Sequence, residues 1–242
     1  MKSVYCSYHL KKIHILIIGI LLIAPDTGRC QGIFDAGVSI GIAAPQGEFR
    51  DNVDRNGFSF SGSALFRPGL VPVKFGLELG YINYGSEDRR EPFSYTIPDV
   101  TVRVERTNNI FLGHMLVRLQ KDAGIVSPYL DGLVGLNYLW TATKIRDVYN
   151  FEEITSSKNL DDLAFSYGIG GGIMFNVYEA RTGVADIAKI YIDLKVRYLY
   201  GGKAEYLKEG AVRIDEYDNV IYDISKSTTD LMLYQIGVVF SF

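Results

Sequence analysis

The chain is poor in several residues. Of its 242 residues, 2 are cysteine, 1 is tryptophan, 3 are histidine and 7 are proline. Both cysteines, Cys6 and Cys30, fall in the first thirty residues, so the remainder supports no disulfide framework and no thiolate metal site. His9 and His14 lie there too, which leaves His114 as the single imidazole downstream. Long apolar runs are missing. The longest, Ile13 to Ala24, is shorter than the ~20 residues a membrane-crossing helix needs. Basic charge is not in excess either: 25 Lys and Arg stand against 28 Asp and Glu, a balance that argues against a nucleic-acid partner.

What precedes and follows that run has a direction. Lys11 and Lys12 come before it, and Pro25-Asp26-Thr27-Gly28-Arg29-Cys30-Gln31 comes after. A basic start, a short apolar stretch and small residues read as a secretory signal peptide removed near Cys30-Gln31. An uncleaved anchor and a lipid on Cys30 are the alternatives, and the bulky Arg29 before that cysteine argues against the second. The expected division is residues 1–30 as signal peptide and 31–242 as one domain. Losing Lys2, Lys11, Lys12 and Arg29 together with Asp26 takes the net charge from −3 to −6.

Glycine (25), tyrosine (17) and phenylalanine (13) are abundant, and hydrophobicity alternates with a period of two, the signature of half-buried strands. Eight segments alternate: Ile33 to Ala44, Gly57 to Phe66, Val73 to Tyr84, Asn109 to Gln120, Pro128 to Thr141, Leu163 to Asn176, Lys189 to Tyr200 and Asp230 to Phe242. In the third, Phe75, Leu77, Leu79 and Tyr81 oppose Lys74, Gly76, Glu78 and Gly80. In the last, Tyr234, Ile236, Val238, Phe240 and Phe242 oppose Gln235, Gly237 and Ser241. Strands of about 10 residues are the length a tilted barrel strand needs to cross a bilayer. The spacers support this. Those after strands one, three, five and seven (Pro45–Asn56, Gly85–Asn108, Ala142–Asp162, Gly201–Thr229) are long, whereas Arg67-Pro68-Gly69 and Lys121 to Ser127 make short turns. The spacer after strand six, Val177 to Ala188, is longer than such a turn requires. Within the long spacers, Val100, Val102 and Val104, and Val212 and Ile214 facing Val220, Tyr222 and Ile224 across Asp218-Asn219, predict hairpins above the membrane. The fold class expected is all-β: an eight-stranded antiparallel up-and-down transmembrane β-barrel preceded by a cleavable signal peptide.

Three stretches resemble a known family. The Gly-rich Tyr167-Gly168-Ile169-Gly170-Gly171-Gly172, the fifth-strand opening Pro128-Tyr129-Leu130 and the terminal Val239-Phe240-Ser241-Phe242 are similar to the small OmpA/OmpX-like outer-membrane β-barrels, a porin-like barrel domain. The likeness covers residues 31–242. It implies an integral outer-membrane protein in contact with lipid and lipopolysaccharide. It also implies that the stripe Tyr234, Ile236, Val238, Phe240 and Phe242 serves as the signal read by the outer-membrane assembly machinery. These patterns are shared by fold rather than activity, so no functional residue is carried over.

The residues that bear chemistry face inward on parity: Lys74, Glu78, Arg118, Asp131, Asp193, Lys195 and Arg197. A narrow eight-stranded lumen is filled by side chains, and charges inside it must pair. The expectation is an ion-pair network plugging the barrel, with a water-filled conduit as the alternative. His114 faces the lumen in mid-strand with no serine or acid evidently beside it, the wrong face for a lipid-A-modifying site. The glycines of 168–172 lie in an alternating strand with no helix after them, so a phosphate loop is excluded by context. Asp88, Arg89, Arg90, Phe93, Tyr95, Tyr149, Phe151, Tyr206, Tyr217 and Tyr222 fall in the long spacers and suit recognition of an extracellular protein or glycan or a place in the membrane girdle. Asp215-Glu216 and Asp218 could hold a divalent cation, but no ligand spacing supports one. No catalytic, cofactor or metal residue is assigned. The expected role is a non-enzymatic one, structural or in recognition, in the envelope. A narrow passive channel, a secretion or assembly subunit and a lipid-A-modifying enzyme follow in that order.

Overall fold

The alternating segments close on themselves. The computed structural model describes residues 33–69, 71–94, 97–121, 124–147, 153–180, 187–214 and 220–242. The expected signal peptide, the turn at Asp218-Asn219 and the acidic cluster beside it lie outside these. In chain order come β1 (Phe34–Pro45), α1 (Gly47–Asn52), β2 (Gly57–Phe66), β3 (Val73–Ser94), β4 (Ile97–Gln120), β5 (Val126–Asp147), β6 (Glu153–Glu179), β7 (Lys189–Gly201), β8 (Lys203–Ile214), β9 (Val220–Thr228) and β10 (Leu231–Ser241). Eight strands form a closed antiparallel barrel in the order β1-β10-β7-β6-β5-β4-β3-β2, and β8 pairs with β9 as a separate hairpin. The seam runs without a break from Asp35 opposite Ser241 to Pro45 opposite Leu231. Closure leaves the barrel no sheet edge within the membrane, where an unpaired backbone group has no water to bind.

Parity decides which side chain meets which environment. Leu79 is 57% exposed and Met115 64%, while their neighbours Glu78 and His114 are 2% and 3%. The outward residues form a continuous apolar belt, and a water-soluble protein rarely exposes an apolar surface of that size. It is a lipid-facing surface. Roughly ten residues per strand, tilted by about 40°, give it a height of about 25 Å. Phe34, Phe66, Phe75 and Phe242 border it at the end of the short turns. At the other end Tyr81, Tyr138 and Trp140 form one aromatic group and Phe165, Tyr167, Tyr198 and Tyr200 another. The Pro68-Gly69 reversal is present, with Gly69 at φ 79°.

The spacers carry more regular structure than their lengths alone predict. The spacers after strands three and five are largely strand: β3 and β4 stay paired up to Ser94 opposite Ile97, and β5 and β6 up to Arg146 opposite Glu153. The valines at 100, 102 and 104 therefore lie on a continuation of barrel strand β4. β3 to β6 span 22 to 27 residues, whereas β1, β2, β7 and β10 span 10 to 13, so one side of the barrel stands as a tall wall. The polar stretch Pro45 to Asn56 holds α1, whose Phe49 is completely buried. After strand six, β6 runs on through Glu179. The β8–β9 hairpin agrees with the pattern read from Val212 and Ile214 (Val212 opposite Tyr222, Ile214 opposite Val220) and is continuous with the short side.

Candidate functional site: the barrel interior and its mouth

The seven inward charges come together in the half of the barrel nearer the short turns, all buried. Adjacent strands β4 and β5 set Arg118 beside Asp131: Nε donates to Oδ1 at 2.8 Å and Nη2 to Oδ2 at 3.0 Å. Arg197 on β7 donates from Nη2 to the same carboxylate at 2.7 Å and from Nη1 to Glu78 on β3. In the barrel order β3 and β7 are diametrically opposed, so the Glu78–Arg197 contact crosses the full lumen. Lys195 Nζ lies 3.6 Å from Glu78 Oε2 and 4.0 Å from Asp193 Oδ2. Tyr129 donates its hydroxyl to Asp193 at 2.6 Å, and the Arg118 guanidinium lies 3.7 Å from the centre of its ring. The chain of contacts closes into a circuit through Arg118, Asp131, Arg197, Glu78, Lys195, Asp193 and Tyr129.

Lys74 stands outside the circuit and pairs with Asp35 of β1, two strands away. Asp35 and Tyr129 completed the arrangement without having been singled out in the sequence. Asp35 sat on the inward parity of β1, and a count of every inward acid finds it. Tyr129 carries no such signal, because its role depends on which groups the barrel brings opposite. The circuit and the Lys74–Asp35 pair together balance four cations against four anions, as buried charge requires.

Against expectation His114 has both an acid and a serine beside it, with Glu78 its cross-strand partner on β3. Its Nε2 lies 3.2 Å from Ser166 Oγ of β6, both buried, across an intervening strand. Inward parity on β4 and β6 predicts that both face the lumen, but not that the shear of the barrel brings them level. Gln235 of β10 donates to Ser59 and Ser61 of β2 at 3.4 and 3.3 Å.

Toward the long-spacer end the interior is apolar. Ala43, Ile82, Ile110, Leu112, Leu139, Leu199, Leu231 and Leu233 all point inward and are buried in one cluster. Asn137 lies in this half fully buried, with no protein partner for either amide atom. At the top of the same cluster Phe49 of α1 meets Tyr84 edge-on at 5.4 Å and Tyr206 of β8 at 5.2 Å. Tyr206 is 1% exposed, so it is offered neither for recognition nor to the membrane girdle. Burial pushes the Tyr206 phenol above its usual range, and its bond to Ser227 opposes this. The side chains of Arg89, Arg90, Phe93, Tyr95, Tyr149, Phe151, Tyr217 and Tyr222 lie outside those described, and Asp88 pairs with Arg103.

No protein-family model matches the chain, and no curated protein matches it. Solved structures do. Neisserial surface protein A is 13% identical, with 88% of this chain and 100% of that chain covered and a TM-score of 0.42. A major outer membrane protein from Thermus thermophilus is 11% identical, covering 86% and 99%, with a TM-score of 0.38. The N-terminal β-barrel domain of Pseudomonas aeruginosa OprF is 12% identical, covering 88% and 100%, with a TM-score of 0.34. The class of this protein, an eight-stranded transmembrane β-barrel, rests on its own strand register and apolar belt.

Proposed function

We propose that the chain is an integral outer-membrane protein whose lumen is closed to solutes, and that it acts through the surfaces it raises above the membrane, in envelope structure or in recognition of an extracellular protein or glycan. The observation that carries this is the Glu78–Arg197 contact. It joins opposite walls within a circuit of buried ion pairs, and an apolar cluster follows it along the axis. Conduction would require breaking buried pairs and wetting an apolar layer in series, two separate costs. The tall wall of β3 to β6 and the β8–β9 hairpin are the material left for recognition. His114 and Ser166 lie inside the barrel, away from lipid and solvent, which favours a non-enzymatic role.

The same reading has residues 1–30 removed near Cys30-Gln31, lipid and lipopolysaccharide around the belt, and the stripe Tyr234, Ile236, Val238, Phe240 and Phe242 engaged by the assembly machinery during insertion. Conductance of the refolded chain in planar bilayers tests the closed lumen. Traces indistinguishable from lipid alone are expected, and reproducible openings that vanish in Glu78→Gln or Arg197→Gln would overturn it. Recovery of the protein in a detergent-free soluble fraction would remove the membrane assignment, and the mass of the mature amino terminus tests the cleavage.

A further inference from the structure

α1 is an unusual helix. It has six residues, its amino-terminal flank Gln46 makes no side-chain capping bond, and helices of this length do not persist on their own. It is kept by what it touches. Phe49 is completely buried between Tyr84, 5.4 Å away on the tall wall, and Tyr206, 5.2 Å away on the hairpin, with Val53 beside it. On the outer side Glu48 Oε2 accepts from the Thr228 backbone N–H at 3.1 Å and from its hydroxyl at 3.4 Å. The segment leaves β1 through Gly47, whose φ of 53° lies in the left-handed region that only glycine enters freely. Beneath it lie the apolar cluster and the Tyr84 hydroxyl, which has no protein hydrogen-bond partner.

We propose that α1 is a lid on the barrel mouth, turning at Gln46-Gly47, seated by the Phe49 ring and latched by the Glu48 carboxylate on Thr228. The seat is small: the Phe49 ring with Val53 beside it, a hydrogen bond between Asn52 and Tyr206, and the Glu48 carboxylate on Thr228. Lifting the lid uncovers the Tyr84 hydroxyl to water, which offsets part of the apolar exposure. The lid covers the apolar half of the lumen only, because the ion-pair circuit lies deeper, nearer the short turns. Opening it therefore exposes that apolar packing to water without making a through-channel.

Ala43 is fully buried on β1 within the cluster that contains Phe49, and Ala43→Cys changes little else. The test is the rate at which a water-soluble thiol reagent labels A43C in the full chain folded into lipid vesicles, with the unsubstituted chain as the blank for Cys6 and Cys30. With the lid intact, labelling is expected to be slow. Adding Phe49→Ala should raise the rate at least tenfold, and adding Glu48→Ala, which leaves the core untouched, about threefold to fivefold. Heat-modifiable migration on gels reports whether each variant retains its barrel. If Phe49→Ala loses it, the Glu48→Ala comparison decides. A43C labelled as fast with the lid intact as with either variant, or unaccelerated in a variant that keeps its barrel, overturns the lid. Because bilayer conductance depends on the deeper circuit, a failed lid leaves the closed-lumen reading standing, and a conducting parent chain does not by itself touch the lid.

Discussion

Glu78→Gln isolates the contact that joins opposite walls of the barrel. The substitution keeps volume and leaves an oxygen that accepts one hydrogen bond, so the change is one of charge. In the parent, Glu78 pairs with Arg197 and lies 3.6 Å from Lys195, with side-chain exposures of 3% or less for all three. In the variant, Arg118, Lys195 and Arg197 share Asp131 and Asp193, so one cation is left uncompensated where solvent does not reach. Removing one partner of a buried pair costs about 3–5 kcal/mol. Arg197 retains its 2.7 Å bond to Asp131, which places the expected loss at the lower end, about 3 kcal/mol. Removing both partners in Glu78→Gln/Arg197→Gln restores neutrality and should be milder than the sum of the single changes by about 2 kcal/mol. The assay is urea unfolding from lipid vesicles followed by fluorescence of Trp140, the single tryptophan of the chain, which reports from the girdle. A Glu78→Gln variant within about 0.5 kcal/mol of the parent, or a double variant as unstable as the sum, would refute the account of the circuit as coupled pairs.

Two further outcomes test other parts of the structure. Leu79→Arg places a guanidinium at mid-belt on the lipid face and should cost about 2–4 kcal/mol in the same unfolding assay, whereas an aqueous surface there would make it nearly neutral. At the seam, a Cβ on Gly41 would lie 2.0 Å from the Tyr234 carbonyl oxygen, while one on Gly62 meets nothing nearer than 3.9 Å, so Gly41→Ala should sharply reduce the yield of heat-modifiable barrel and Gly62→Ala should not.

Much of the barrel was legible because a lipid-facing strand must alternate. Lys74, Glu78, Arg118, Asp131, Asp193, Lys195 and Arg197 could be placed inside from parity alone, and the spacer lengths ordered the turns. Pairing partners could not be read. Which inward group meets which depends on barrel shear, so Lys74 reaching Asp35 and His114 reaching Ser166 are visible only once the sheet closes. The apolar upper interior left a trace in runs such as Ile110-Phe111-Leu112 and Leu231-Met232-Leu233, where both parities are apolar. Those runs blur the alternation instead of announcing a buried layer. α1 is shorter than two helical turns, too brief for a helical period, and Phe49 was the one aromatic in a stretch otherwise read as solvated. The length of β3 to β6 was hidden for a related reason. Above the membrane neither face has to be apolar, so the period of two fades while the hydrogen-bonded ladder continues.

The neutral interior also bears on how the barrel enters a membrane. Of the eight charged groups in the circuit and the Lys74–Asp35 pair, those on β1 to β6 are Asp35, Lys74, Glu78, Arg118 and Asp131, one negative charge in excess. β7 brings Asp193, Lys195 and Arg197, one positive charge in excess. A chain that inserted strand by strand would carry an unmatched carboxylate into hydrocarbon until its seventh strand arrived. Electroneutrality is reached only when β7 docks, and the strand that closes the seam comes next. The charge pattern thus favours a barrel that crosses into lipid nearly complete, with its late strands neutralising the early ones before water is left behind.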